Sequence, residues 1–370
     1  MADEAGGRSR AQTLTDLLAD TRRVALVGLA KNTGKTETLA AILAEHAAAG
    51  RQVGVTSIGR DGEEHDAIDA RIDKPRINLQ AGSLVASTGA LLRASGLAHE
   101  RLAQTGVRTP LGEVVVARLS EPGTVEVAGP SAAEDVRAVS EEMAELGAEQ
   151  VLIDGAIDRR AASSPDVADG LVMSTGAILA EDIEEVVSRT QNAVALVRLG
   201  SVPRDMPEGR RLRELAADQD PGVSLMVDDA LQGYPLPPRF MLTAELPGIQ
   251  DFFSIGSRPR WLLVSGALPE ASLQGLASFV RRTGGRPVTV IVQDPTKVFL
   301  SERSVEHYRM AGVELQALRS IGLLALTVNP VAPQSHRFDS QRLRELIAAA
   351  VPDVPVLDVL DPSYRATPTP

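Results

Sequence analysis

Short apolar runs alternate with longer amphipathic stretches along most of this chain. Val24–Val27 is a compact apolar run, the pattern of a strand buried on both faces. Leu39, Ile42, Leu43 and His46 then recur at helical spacing within Thr36–Ala49, and Gly50 is a suitable stop. Gln52–Ser57 (QVGVTS) reads as a second strand. The opening pattern is therefore strand, loop, helix, strand, which is the right-handed crossover of parallel sheets. Further on, Glu113–Leu119 and Thr124–Ala128 flank Ser-Glu-Pro-Gly and predict a β-hairpin. Ala132–Leu146 predicts an amphipathic helix ended by Gly147, and Gln150–Ile153 a strand ending in Asp154-Gly155. Gly170–Met173 and Ala193–Leu199 predict two more strands.

Residues 200–258 lose this periodicity as proline, glycine and charge rise, and predict an irregular connecting region. From Trp261 the alternation returns. WLLVSGA, VTVIV, Leu323–Val328 and Val356–Val359 predict strands, with helices to Thr283, over Glu302–Leu318 and over Ser340–Ala350. Two segments echo each other, LVASTGALL from Leu84 and LVMSTGAIL from Leu171. Each reads as a strand end, a Ser-Thr-Gly turn and a helix start, a shared turn chemistry rather than a repeat fold.

Composition narrows the class. Apolar residues make up 44% of the 370, but aromatics only 3%, so the cores are built of Ala, Val, Leu and Ile. That favours α/β layers over an aromatic-rich sandwich. A net charge of -11 argues against a broad nucleic-acid surface. No cysteine is present, so disulfides, thiolate metal sites and cysteine nucleophiles are excluded, which fits a cytoplasmic location. The N-terminus does not read as a signal peptide, and no apolar run approaches the roughly 18 residues needed to cross a bilayer, so no membrane association is expected.

The candidate chemistry lies in the first crossover, where Gly28 opens G-LAKNT-GKT between a predicted strand and a predicted helix. A phosphate-binding loop turns successive backbone N–H groups toward an anion at a helix N-terminus. Gly28, Lys31, Asn32, Thr33, Gly34, Lys35, Thr36 and Glu37 are the candidate nucleotide contacts. Lys35 would meet the β and γ phosphates, and the Thr36 hydroxyl would ligate Mg²⁺. One feature departs from the usual spacing: five residues separate the glycines instead of four, and Leu29 stands where a glycine is expected. Asp154, at the tip of an apolar strand, is the candidate acid for the water shell of Mg²⁺, and a strand-ending Asp-Gly turn is the plainer alternative. In SIGRDGEEHD, Asp61 and Glu63 could bind Mg²⁺ or orient water, and Arg60 could neutralise phosphate charge; a solvated acidic loop is the alternative, and His65 reads as a surface residue. No Asn-Lys-x-Asp element for guanine is present, which favours ATP over GTP. Asn329-Pro330 would reach the base only if the two halves of the chain share one sheet, and QDPTK at Gln293–Lys297 reads as an Asp-Pro turn.

The ordered set GLAKNTGKTETL, TSIGRDGEEHD, KPRINLQAGSLVAST, TGVRTPLGEVVV, VEVAGPS and VLIDGAIDR resembles the P-loop subunit of the lysine 5,6-aminomutase reactivase. The resemblance covers about residues 22–200 and continues more loosely through QDPTKVFLS. It implies a helper that works with a MutS-like ATPase subunit to restore an adenosylcobalamin-dependent aminomutase. Lys35 and Thr36 would grip nucleotide and Mg²⁺, and Asp154 would complete the metal site. The chain has no Asp-x-His-x-x-Gly cobalamin signature of its own. Two alternatives stay open: an ATP-dependent small-molecule ligase or kinase of the dethiobiotin-synthetase type, and a nucleotide-sensing regulatory module. A homodimer is the expected assembly for an ATPase of this kind. The expected organisation is an N-terminal tail (1–20) leading into a short helix, and a P-loop NTPase domain (21–200), its parallel sheet flanked by helices and carrying an inserted β-hairpin. The connecting region (201–258), a second, smaller parallel α/β domain (259–360) and a disordered tail (361–370) follow.

Overall fold

The computed structural model describes residues 13–58, 76–155, 164–220, 222–236, 259–282, 287–333 and 335–365. The chain forms two compact units, one made of residues 1–190 and 322–370, the other of residues 191–321.

The first unit begins with α1 (Leu14–Leu18), closed by a capping box between Thr13 and Asp16. Leu14 and Leu18 are fully buried, so this segment is core rather than tail. β1 (Arg23–Gly28), α2 (Lys35–Ala48) and β2 (Val53–Ser57) form the expected crossover. α2 turns Thr38, Leu39, Ile42, Leu43 and His46 inward, the stripe that the spacing predicted. β3 (Arg76–Leu79), β4 (Leu84–Thr88), α3 (Gly89–Ala94), β5 (His99–Thr109), β6 (Gly112–Leu119) and β7 (Gly123–Glu126) follow, then α4 (Ala133–Glu145), β8 (Gln150–Asp154), β9 (Gly170–Gly176) and α5 (Ile183–Val197).

The hairpin is not where the alternation placed it. β5 and β6 form it, turning between Thr109 and Gly112, and β6 also pairs antiparallel with β4. β7 leaves to pair with β3. An alternating strand names the face it buries but not its neighbour, and here Ser120 N–H bonds to Ala98 O (2.8 Å), drawing the chain away from a tight return. Ala193–Leu199 is likewise not a strand, because its first residues continue α5, whose buried Val186, Thr190 and Val194 recur every fourth position.

Among its described residues the second unit is regular, including part of the stretch expected to be an irregular connection, of which residues 237–258 lie outside the described residues. It holds β10 (Gly200–Ser201), α6 (Pro207–Ala217), β11 (Leu225–Asp228), β12 (Gly233–Pro235), β13 (Pro259–Leu263), β14 (Leu268–Pro269), α7 (Glu270–Arg282), β15 (Val288–Val292), β16 (Val298–Phe299), α8 (Val305–Met310) and β17 (Val313–Ala317). Its six-stranded sheet runs β10-β17-β15-β13-β11-β12. The pairs among β10, β17, β15 and β13 are parallel, and β11 is antiparallel to β13 and to β12. Alternation splits the core between two clusters, Leu262 and Val290 in one, Trp261 and Ile291 in the other. The helix expected over Glu302–Leu318 stops at Met310. Gly312 takes φ 83°, and Val313, Leu315 and Ala317 then alternate inward as a strand.

After Ile321 the chain returns to the first unit with β18 (Gly322–Asn329), α9 (Ser340–Ala350), β19 (Val356–Leu357) and α10 (Pro362–Arg365). The large sheet is β19-β18-β9-β1-β8-β2-β4-β6-β5, parallel except at its β4-β6-β5 edge. Strands 322–329 and 356–357 therefore do not belong to a second domain running from 259 to 360. β18 is an apolar strand that joins β9 in register from Gly322↔Gly170 to Asn329↔Gly176. The last residues described are not a loose tail either, because Tyr364 OH accepts from Leu14 N (3.0 Å) and donates to Glu45 Oε1. Among the described residues, no helix is long and apolar enough to cross a membrane.

Candidate functional site

The carboxyl ends of β1, β8, β9 and β18 meet where α2 begins. β1 lies between β8 and β9, with Leu26 opposite Asp154 and Gly28 opposite Ser174. Leu29 N–H bonds to Ser174 O (2.9 Å), so the ladder runs one residue past Gly28. That accounts for the extra residue in the loop. Leu29 keeps one ladder hydrogen bond just past the end of β1 without a left-handed backbone, which falls instead at Asn32 (φ 66°) and Gly34 (φ 90°). Asn tolerates this region and Gly occupies it freely.

Thr33 is buried and donates its hydroxyl to Ala30 O (2.9 Å), closing the loop on itself. Lys31 and Asn32 are exposed at its tip, and Thr36 and Glu37 are exposed on the first turn of α2. The first backbone bond within the helix runs from Thr38 N–H to Gly34 O (2.9 Å). The N–H groups of Lys35, Thr36 and Glu37 precede it, so the helix supplies them no acceptor. This end also carries the positive pole of the helix dipole.

Lys35 reaches back across the sheet edge. Its Nζ forms an ion pair with Asp154 Oδ1 and donates to Gly155 O (2.7 Å). The two side chains are 22% and 15% exposed, so the pair is sheltered yet open to a ligand. The backbone around it is pinned: Gly155 N–H bonds to Leu26 O (2.9 Å) and Ile58 N–H to Asp154 O (3.1 Å). The structure thus brings Gly28, Asn32, Thr33, Gly34, Lys35, Thr36 and Asp154 to one edge. Arg60, Asp61, Glu63 and His65 lie outside the described residues. Among the described residues, no cluster of three or more His, Asp or Glu could hold a metal alone.

β9 and β18 frame the loop through contacts that no local sequence pattern announces. Asn329 Nδ2 donates to Asn32 O (2.9 Å), while its Oδ1 accepts from Val331 N–H (3.1 Å). Beneath the loop, the buried hydroxyls of Thr38, Ser174 and Thr327 touch one another, with Thr38 to Thr327 at 2.7 Å and Ser174 to Thr327 at 2.8 Å. Ser174 belongs to the second of the two echoed Ser-Thr-Gly turns, which was its visible signal. Thr327 carried none, because nothing local says that its strand enters this sheet.

No family model, curated protein or solved structure matches the chain.

Proposed function

We propose that this chain is a Mg²⁺-dependent nucleotide-binding and slowly hydrolysing protein of the P-loop NTPase type. The observation that carries the reading is the Lys35 ammonium, held at the N-terminus of α2 against Asp154 on the neighbouring strand tip. A triphosphate in the loop would meet backbone N–H groups, a helix dipole and the Lys35 ammonium together. Lys35 would exchange Asp154 for phosphate oxygens, which frees the carboxylate to face the metal's water shell.

The donor set suits Mg²⁺. The Thr36 hydroxyl and the Asp154 carboxylate are both hard oxygen ligands, and in such sites the ion takes most remaining positions from water and phosphate. When bound, it would neutralise charge on the β and γ oxygens. ATP is the favoured nucleotide and GTP the alternative.

The wider role follows from the resemblance: the P-loop subunit of a reactivase for an adenosylcobalamin-dependent aminomutase, acting with a MutS-like ATPase. A unit with its own core at residues 191–321 supports a helper over a compact kinase, because it offers surface for protein partners that small-molecule phosphoryl transfer does not require.

Calorimetry with Mg²⁺-ATP and Mg²⁺-GTP tests the first step. Lys35→Ala should weaken binding by roughly 100-fold, the scale of deleting a charged hydrogen-bonding partner. Wild-type affinity in that variant would overturn the nucleotide reading. A pull-down from the host with nucleotide present tests the second step. Recovery of a cobalamin mutase or a MutS-like ATPase supports the helper, and substrate-dependent turnover with neither recovered supports the ligase or kinase.

A further inference from the structure

Asn329 lies at the end of β18, opposite Gly176, and its polar atoms are both engaged. The amide's orientation follows from its neighbours: Asn32 O can only accept and Val331 N–H can only donate, so Nδ2 faces the first and Oδ1 the second. The same residue sits under the loop's left-handed glycine, where a Cβ on Gly34 would stand 3.1 Å from Asn329 Cβ. One side chain therefore holds the carbonyl of one left-handed residue and packs beneath the other.

Two residues earlier, Thr327 acts on the same turn from below. Four contacts connect Gly34 O, Thr38, Ser174 and Thr327, but the three hydroxyls have only three protons. Gly34 O must accept, so Thr38 donates to it (3.0 Å). Placing the two remaining protons in the two shortest contacts, Thr38 accepts from Thr327 at 2.7 Å, and Thr327 from Ser174 at 2.8 Å. That leaves Ser174 and Thr38, 3.2 Å apart, without a proton between them. Ordered this way, the chain ends on the carbonyl of the glycine that closes the loop.

We infer that Asn329 and Thr327 are positioning residues, which hold the Gly28–Thr36 loop in its anion-binding shape from β18. This rests on reading the loop as a phosphate cradle, and it deepens that reading. Because its hydrogen bonds go to the backbone of Asn32 and Val331, Asn329 serves here as a clamp on the loop. Its effect is therefore the same for any polyphosphate.

The test uses Asn329→Ala, Asn329→Asp, Thr327→Val and the conservative Thr327→Ser in the full chain. Asn329→Asp keeps an acceptor for Val331 but has no donor for Asn32. Two measurements are made: Mg²⁺-dependent affinity for ATP, GTP and inorganic tripolyphosphate, and amide hydrogen exchange over residues 29–38 without ligand. Both Asn329 variants should weaken all three ligands by the same factor, about 10-fold, the upper scale of one hydrogen bond. Loop exchange should accelerate while the melting temperature moves little. Thr327→Val should behave likewise, and Thr327→Ser should recover wild-type values. Unchanged loop exchange in the Asn329 variants overturns the inference, as does a loss for ATP that tripolyphosphate does not share. If the wild type binds none of the three ligands, the nucleotide reading fails, and the exchange rates alone decide whether β18 holds the loop.

Discussion

The most heavily hydrogen-bonded carboxylate described in the second unit is Glu270, the first residue of α7. It is 7% exposed and accepts five hydrogen bonds. Oε2 takes Ser301 N (2.7 Å), Ser301 Oγ (2.5 Å) and Glu302 N (2.8 Å), and Oε1 takes Arg303 N (2.8 Å) and Tyr308 OH (3.0 Å). Burial pushes this carboxyl up, but the donors from Ser301, Glu302 and Arg303 outweigh it and bring it down to about 2 from an ordinary 4.5. Burial and the facing carboxylate push the Tyr308 phenol up in turn.

A depression of that size corresponds to about 3 kcal/mol at 1.36 kcal/mol per unit. Because the folded value is the lower one, this stability is fully present above pH ~4.5 and is lost as pH falls toward 2. Linkage places more than half of the loss above pH ~3. Glu270→Gln keeps one acceptor but turns an NH₂ toward Arg303 N–H, which a carboxylate would have satisfied. The variant should therefore lose about 3 kcal/mol at pH 7 and progressively less in acid, converging on the wild type near pH 2. Trp261, the chain's single tryptophan, is buried in this unit, so its fluorescence follows urea unfolding of that unit directly. Equal midpoints at pH 7, or a penalty that does not shrink between pH 7 and 3.5, would refute the argument.

Other outcomes follow from the first unit. Asp154→Ala should leave nucleotide binding measurable but remove most of its Mg²⁺ dependence, read by calorimetry with and without the ion. Gly176→Ala forces a Cβ against the backbone carbonyl of Asn329, so it should cost about 3 kcal/mol or more and lower the melting temperature by several degrees. Tyr364→Phe removes the hydroxyl that joins Glu45 to Leu14 N–H and should cost about 1–3 kcal/mol in chemical denaturation, showing that the C-terminal helix belongs to the folded unit.

Much of the candidate site was legible along the chain because its parts are local. An apolar run, a glycine-bracketed loop and a helical stripe lie within residues 24–46, and each records its own backbone state through short-range sterics and periodicity. Asp154 could be named for the same reason, as an acid ending an apolar strand. Local pattern does not record partnership. Val114–Ala117 and Leu323–Val328 announce strands in their side chains, yet only the folded sheet decides that the first returns to β5 and β4, and that the second crosses from the far end of the sequence to lie beside β9. The same holds for Asn329 and Thr327. Their contacts with Asn32 and Thr38 span 297 and 289 residues of sequence, and they form only once β18 has taken its place beside β9.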